Sequence, residues 1–284
     1  TLSFSVYASA TFSAEADNGK RICYRTEDLA GNVAFLFSDV IAGIDFTPPA
    51  ITSLALTPSS GTSKIGDTIT LSVTADTTGY ALGSLSINGV ATTSMADAGN
   101  GIYFATTSIA SGDADRASGT VPVAVVFVDA AGNRNATSTA VAANTLKIDA
   151  NVPTLVSART TSTTTIVLSF SEDLNGATVN STGTDFTVSG FTISSASEVT
   201  PGVVRLTLGA AMATSDTPSV SYVSSIKDLA GNVAPVAGPI ASADGVAPVI
   251  SETVAVAAYS NTATPVYAFT TGEAGAIGYG GDCA

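Results

Sequence analysis

The seven residues DLAGNVA occur twice in this chain, at 28–34 and at 228–234, and the variant DAAGNRN lies between them at 129–135. The copies are about 100 residues apart, which is the length of one ordinary domain. A repeat of this period indicates that each copy belongs to one structural unit that recurs along the chain. We therefore expect a tandem array of similar domains.

A second marker follows each copy and indicates where one domain ends and the next begins. The sequences are IDFTPPAI at 44–51, IDANVPTL at 148–155 and ADGVAPVI at 243–250. Each places an Asp a few residues before proline and then starts an apolar segment, which is typical of a domain boundary. The markers predict complete domains at 50–150 and 151–247, with part-domains at 1–49 and 248–284.

Between the markers, apolar and polar residues alternate with a period of two. In TITLSVTA, at 68–75, Ile69, Leu71 and Val73 lie on one face, and TIVLSFSE at 165–172 has the same pattern. VVRLTL at 203–208 and SVSYV at 219–223 continue it. This alternation predicts half-buried antiparallel strands. With the period, it predicts an all-β chain of tandem immunoglobulin-like β-sandwiches, two complete and one split between the termini, without helices longer than a turn or two.

The repeated phrase itself has the residues that a tight hairpin requires. Its Asp can accept backbone N–H groups at the first position of a type I turn, and its Gly, three residues later, can adopt a positive φ. The glycines predicted to do so are Gly31, Gly132 and Gly231. We expect each phrase to join two strands.

The D-x-A-G-N hairpin followed by D-x-x-x-P resembles the bacterial Ig-like repeats of large secreted surface proteins, such as adhesin stalks and S-layer proteins. The segment from PTLVSARTTSTTTIVLSFSEDL at 153–174 to SVSYVSSIKDLAGN at 219–232 is similar to the variant found in S-layer and cell-surface proteins. The resemblance covers essentially the whole chain. It implies an extracellular stalk, spacer or lattice element and not an enzyme.

Composition excludes several other functions. The net charge is −13 with ten Lys and Arg in all, so a nucleic-acid surface is not expected. No apolar run is long enough to span a membrane. The chain has no His, which removes Ser–His–Asp triads, Cys–His pairs and His metal sites. The alternative function is a carbohydrate- or ligand-binding adhesin module, although Trp, a usual sugar platform, is absent.

Calcium is the one cofactor that the sequence suggests, because Asp is abundant and the family resemblance implies ions at domain junctions. The candidate ligands are the linker acids and the hairpin acids, namely Asp45, Asp149, Asp244, Asp28, Asp129 and Asp228. Turn capping is the alternative role for each of them.

The two part-domains predict a head-to-tail partner. Residues 1–49 contain late strands and 248–284 contain early strands, and together they approach the size of one domain. We expect Tyr267 and Phe269 of one unit to pack against Ile22 or Tyr24 of another. The neighbour is either the next part of a longer chain or a separate subunit.

Across such a junction, Cys23 and Cys283 would lie in one domain, where they would form a disulfide or remain two unpaired thiols. Two sequons, Asn135-Ala136-Thr137 and Asn180-Ser181-Thr182, could carry glycans.

Overall fold

A computed structural model describes residues 11–223, 225–255, 261, 263–264 and 266–278. The chain forms two compact units, residues 1–149 and 150–284. Each unit consists mainly of antiparallel sheets, and the helical residues in the described ranges form single 3₁₀ turns.

The first unit contains one 3₁₀ turn, Glu15–Asp17, and eleven strands among its described residues. The strands are β1 (Cys23–Glu27), β2 (Val33–Phe37), β3 (Ile51–Thr57), β4 (Thr62–Lys64), β5 (Thr68–Ala75), β6 (Ala81–Ile87), β7 (Val90–Ala91), β8 (Ala96–Gly99), β9 (Ile102–Ser108), β10 (Val123–Val128) and β11 (Lys147–Asp149).

Two sheets of the first unit enclose a core, and β1 with β2 stands apart as a hairpin. One sheet has the order β3-β5-β9-β8 and the other β10-β6-β7, while β11 pairs in parallel with β4. The rings of Tyr103 and Phe127, one from each large sheet, are 4.7 Å apart between their centroids. Both residues are fully buried, so the sheets face each other across one apolar layer.

The second unit contains one 3₁₀ turn, Gly176–Thr178, and nine strands among its described residues. These are β12 (Leu155–Ser162), β13 (Thr165–Phe170), β14 (Phe186–Val188), β15 (Ile193–Thr200), β16 (Val203–Leu208), β17 (Ser219–Tyr222), β18 (Ala237–Ala241), β19 (Ile250–Val254) and β20 (Ala268–Thr271).

The second unit repeats this architecture. Its sheets have the orders β12-β13-β16-β15 and β14-β17-β18, and β19 pairs with β20 in a separate hairpin. One buried apolar cluster takes residues from both larger sheets, including Phe170 and Tyr222, whose rings meet edge to face at 5.6 Å. The chain is therefore all-β and built from tandem immunoglobulin-like β-sandwiches, which confirms the predicted fold class.

The predicted strands lie where the alternation placed them. TITLSVTA is β5, in which Ile69, Leu71 and Val73 are fully buried, and VVRLTL is β16. No helix among the described residues is long and apolar enough to cross a membrane.

The expectation that each repeated phrase joins two regular strands was wrong for two of the three copies. The phrase at Asp28 connects β1 to β2, but the other two are closed by the isolated bridges Val128–Arg134 and Lys227–Val233. After Asp129 the pairing is interrupted, because the Asn135 side chain accepts the N–H of Phe127 at 2.6 Å, and it returns only at the isolated bridge Val125–Ser138. Pro235 has no N–H to donate after the third copy.

Candidate functional site

Each repeated phrase folds into the same five-residue turn, which we call the DxAGN turn. In the first copy, Asp28 Oδ1 accepts the backbone N–H groups of Ala30 and Asn32, both at 2.9 Å. The amide of Asn32 donates to Asp28 Oδ2 at 2.8 Å. The N–H of Gly31 donates to the Asp28 carbonyl at 3.0 Å, and Gly31 has a φ of 86°. Both carboxylate oxygens are thus used inside the turn.

The second DxAGN turn has the same arrangement, and in the third Asp228 Oδ1 accepts the N–H groups of Gly231 and Asn232. The Asn amide donates to the second carboxylate oxygen at 2.9 Å in both, from Asn133 to Asp129 and from Asn232 to Asp228. The turn glycines, Gly132 and Gly231, have φ values of 93° and 97°.

The sequence reasoning missed the role of the Asn. It explained the Asp and the Gly of the phrase but gave no function to the fifth residue, which is Asn in all three copies. The structure assigns it a hydrogen bond to the Asp that opens the turn. An invariant amide four residues after an acid was the available signal, since Asn and Asp side chains commonly bond within turns.

These bonds also explain the acidity of the turn carboxylates. The amide of Asn32, followed by backbone N–H groups, lowers the pKa of Asp28 below its usual value. At Asp129 burial raises the pKa, but the hydrogen bonds from Asn133 and the backbone outweigh it, so the pKa is again lowered. The carboxylates of Asp28 and Asp129 are therefore anionic acceptors for N–H groups at neutral pH.

The linker acids are also engaged in turns. Asp45 Oδ1 accepts the N–H of Thr47 at 3.0 Å, and Asp244 Oδ1 accepts that of Val246 at the same distance. Asp149 is the last residue of β11 and is half-buried. In the second unit, carboxylate oxygens of Glu172 and Asp228 lie within 4.8 Å of each other. Calcium binding by any of these acids stays a prediction.

Two hairpins expose apolar surface that the sandwiches bury. The head hairpin consists of β1 and β2, whose residues are all exposed, and the tail hairpin consists of β19 and β20. The exposed apolar side chains include Tyr24 and Leu36 in the head hairpin, Ile250 in the tail hairpin and Tyr267 immediately before β20. Surface of this kind typically marks an interaction site.

The pairing register shows which face of the tail hairpin corresponds to a sandwich core. Ile250 pairs with Thr271 as Leu155 pairs with Phe170 and as Ile51 pairs with Ala75. Phe269 lies two residues before Thr271, and the residues two before Ala75 and Phe170 are Val73 and Leu168. Tyr267 lies four residues before Thr271, and the corresponding residues are Leu71 and Ile166. All four of these sandwich residues are fully buried. Tyr267 is 54% exposed and Ile250 is 65% exposed.

The same comparison holds for the head hairpin when the three DxAGN turns are aligned on their Asp. Tyr24, four residues before the turn, corresponds to Val125, which is fully buried. Tyr24 itself is 48% exposed, and its cross-strand partner Leu36 is 68% exposed. The core face of the head hairpin is therefore uncovered in this structure.

A broad cleft lies on the core face of the tail hairpin. Its volume is about 790 Å³, and its lining includes Pro248, Ile250, Tyr267 and Phe269. The two rings are 6.1 Å apart. A mainly apolar cleft of this size can accept the side chains of a second β-layer.

The predicted disulfide between Cys23 and Cys283 can be examined at Cys23. Cys23 is exposed in β1 and pairs across the hairpin with Phe37, on the face opposite Tyr24. Cys283 lies outside the described residues. The disulfide stays a prediction.

The chain was compared with protein-family models, curated proteins and solved structures. No family model matches the chain, and no curated protein matches it. Among solved structures, it is similar to a chimeric titin Z1Z2-Z1Z2 tandem carrying a GRGDS peptide from fibronectin, with 17% identity, a TM-score of 0.23, and coverage of 66% of this chain and 97% of that one.

It is also similar to the N-terminal eight Ig domains of Down Syndrome Cell Adhesion Molecule, isoform 1.30.30. The identity is 13%, the TM-score is 0.23, and the match covers 84% of this chain but 34% of that one. Because both TM-scores are low, the fold assignment rests on the sheets and cores described above.

Proposed function

We propose that this chain is a structural segment of an extracellular bacterial surface protein or filament. Its sandwiches act as stalk, spacer or lattice elements, and its two hairpins are halves of a further sandwich that is completed head to tail. The observation that carries this proposal is the uncovered core face of each hairpin, at positions whose counterparts are fully buried in the sandwiches. No catalytic role is part of the proposal.

The two hairpins are complementary halves and not copies of one half. The tail strands correspond to β3 and β5, which lie in the four-stranded sheet of the first sandwich. The strand that enters the head turn corresponds to β10, which lies in the opposite sheet. Placing the core face of a tail on the core face of a head therefore recreates the two layers of a sandwich.

The two layers favour pairing of a head with a tail over pairing of two tails. Two tails would supply the same sheet twice, whereas a head and a tail supply one strand pair for each sheet. Head-to-tail contacts are heterologous, and they build open arrays when rotation does not close a ring. The proposed partner is thus another copy of this unit.

The test uses one variant of each face. A tail variant carries Tyr267→Lys and Phe269→Lys, and a head variant carries Tyr24→Lys and Leu36→Lys. We expect the unchanged chain to form elongated particles by light scattering and electron microscopy, and each variant alone to remain monomeric. A mixture of the two variants should form dimers but no longer particles, because the tail variant keeps an intact head face and the head variant keeps an intact tail face.

Val156→Lys is the matched control, since Val156 is 62% exposed on β12, a strand that belongs to neither hairpin. This variant should elongate like the unchanged chain. A variant lacking 248–284 should remain soluble without elongating. Elongation of the truncated chain, or an unchanged chain that stays monomeric at high concentration, would overturn the head-to-tail model.

We also propose that calcium, bound by oxygen ligands at the linker acids, stiffens the hinges of the array. Asp149 is the residue to test, because it ends the first sandwich immediately before Ala150. Chelation should increase bending between domains while each sandwich stays folded, and Asp149→Ala should reproduce this at one hinge. Identical X-ray scattering profiles with and without chelator would leave the acids as turn caps.

A further inference from the structure

The two sequons of this chain occupy different structural environments. Both contain the Asn-Xaa-Thr pattern that oligosaccharyltransferases recognise. The acceptor atom in such a transfer is Nδ2 of the Asn. Whether the folded domain can carry a glycan therefore depends on what Nδ2 and its neighbours do in the structure.

The side chain of Asn135 is fully used by the first sandwich. Its Oδ1 accepts the N–H of Phe127 at 2.6 Å, and its Nδ2 donates to the Ala136 carbonyl at 2.6 Å. Weaker contacts of 3.4 Å join Nδ2 to the Val125 carbonyl and to Ser138 Oγ. A glycan on this nitrogen would compete with bonds that replace the strand ladder beside β10, so the first sequon is a structural element.

The side chain of Asn180 is arranged in the opposite way. Asn180 is exposed in the loop before β14, and its Nδ2 donates no hydrogen bond within the part of the chain that the structure describes. Its Oδ1 accepts both the N–H of Thr182 at 3.0 Å and the Thr182 hydroxyl at 2.7 Å. The sequon's own Thr thus contacts the sequon's own amide.

The loop that holds Asn180 is fixed by backbone groups. The Asn180 N–H donates to Asp185 Oδ2 at 2.6 Å, and the Asn180 carbonyl accepts the N–H of Gly183 at 2.8 Å. Gly183 has a φ of 77°, which closes the turn. A group attached to Nδ2 would therefore leave every bond that shapes this loop in place.

We propose that Asn180 is an acceptor site for an N-linked oligosaccharide, whereas Asn135 is not. The donor is a lipid-pyrophosphate-linked oligosaccharide. The bond from Asn180 Nδ2 to the sugar C1 forms, the bond from C1 to the phosphate oxygen breaks, Nδ2 gives one proton to a carboxylate base of the transferase, and the lipid pyrophosphate leaves with the electron pair of the broken bond. The Thr182 hydroxyl stabilises the negative charge that Oδ1 acquires as that proton departs. The inference requires exposure outside the cell but not head-to-tail assembly.

The test is transfer in vitro to the folded full chain. The chain is incubated with a lipid-linked oligosaccharide of known mass and an oligosaccharyltransferase that requires only Asn-Xaa-Thr, and the product is measured by intact mass and peptide mapping. We expect one oligosaccharide per chain, on Asn180. Asn180→Gln and Thr182→Ala should each reduce transfer at least tenfold, and Asn135→Gln should leave it unchanged.

The urea-unfolded chain is the second arm, because it separates sequence recognition from structure. Both Asn135 and Asn180 should accept the oligosaccharide when unfolded, and the product glycosylated only at Asn180 should keep the melting temperature of the unmodified chain. Transfer to Asn135 in the folded chain would overturn the proposal. So would a folded chain that accepts nothing while its unfolded form accepts at Asn180, or a glycan on Asn180 that lowers the melting temperature.

Discussion

The seven residues at 28–34 and the seven at 228–234 are identical, yet they lie in opposite environments. Asp228 is 1% exposed and Ala234 is fully buried, whereas Asp28 and Ala34 are exposed. The turns themselves are alike, with an Asn amide on the second carboxylate oxygen at 2.8 Å in one and 2.9 Å in the other.

This comparison separates what a local sequence encodes from what its surroundings add. The DxAGN turn needs only its own Asp, Gly and Asn, because every bond that defines it lies within five residues. Burial depends on residues far away in the chain, such as those of β13 and β16, which share one core cluster with Ala234. The hairpin is a local unit, and the sandwich is a property of the whole domain.

The largest predicted difference between the copies comes from removing the Asp. Asp228→Ala removes the buried acceptor of the Gly231 and Asn232 backbone N–H groups, which should lower the free energy of unfolding of the second sandwich by about 3 kcal/mol. Asp28→Ala should leave that sandwich unchanged, because water can replace the lost acceptor at an exposed turn. Urea unfolding followed by hydrogen exchange of β16 amides measures both. If Asp28→Ala lowered the free energy of unfolding as much as Asp228→Ala, the interpretation of the DxAGN turn as a local unit would be contradicted.

A smaller effect is expected at the turn glycine. Gly231→Val forces a β-branched residue to a φ of 97° and should cost the second sandwich about 1–2 kcal/mol. Gly238→Val is the matched control, because Gly238 lies in β18 with open space around its Cα. The melting temperature should fall for the first variant only, and no fall would count against the turn.

The smallest effect concerns the acidity of the exposed copy. Asn32→Ala removes the strongest cause of the lowered pKa of Asp28, so that pKa should rise toward its ordinary value. A carboxylate with a lowered pKa stabilises the fold above its unfolded pKa of about 3.9, and the stabilisation is lost as the pH falls through the lower folded value. Carboxyl NMR titration measures the shift. An unchanged titration would show that the Asn amide does not bind the carboxylate in solution.

Much of the fold could be predicted because its signals are local or periodic. The alternation in TITLSVTA located β5, and the Asp and Gly of the repeated phrase indicated the turn. The parallel pairing of β11 with β4 could not be predicted, since no pattern within Lys147–Asp149 specifies its partner. The bond from the Phe127 N–H to the side chain of Asn135, eight residues away, interrupts the pairing of β10 without any change in strand propensity. The different burial of the identical residues at 28–34 and 228–234 likewise could not be predicted from local sequence.

The way each sandwich closes has a mechanical consequence. In the first, residues 141–149 run parallel to the opening strands, with Ala142 N–H on the Leu54 carbonyl at 2.7 Å and Lys147 N–H on the Gly61 carbonyl at 2.9 Å. In the second, Ala243 exchanges hydrogen bonds with the backbone of β12 in the same parallel sense. Tension applied through the two ends of either domain would load these bonds in shear, all at once, instead of peeling them one after another. Resistance of this kind is kinetic, set by the barrier to rupture and not by the equilibrium free energy, so a thread of such domains can bear force although each is only marginally stable at rest.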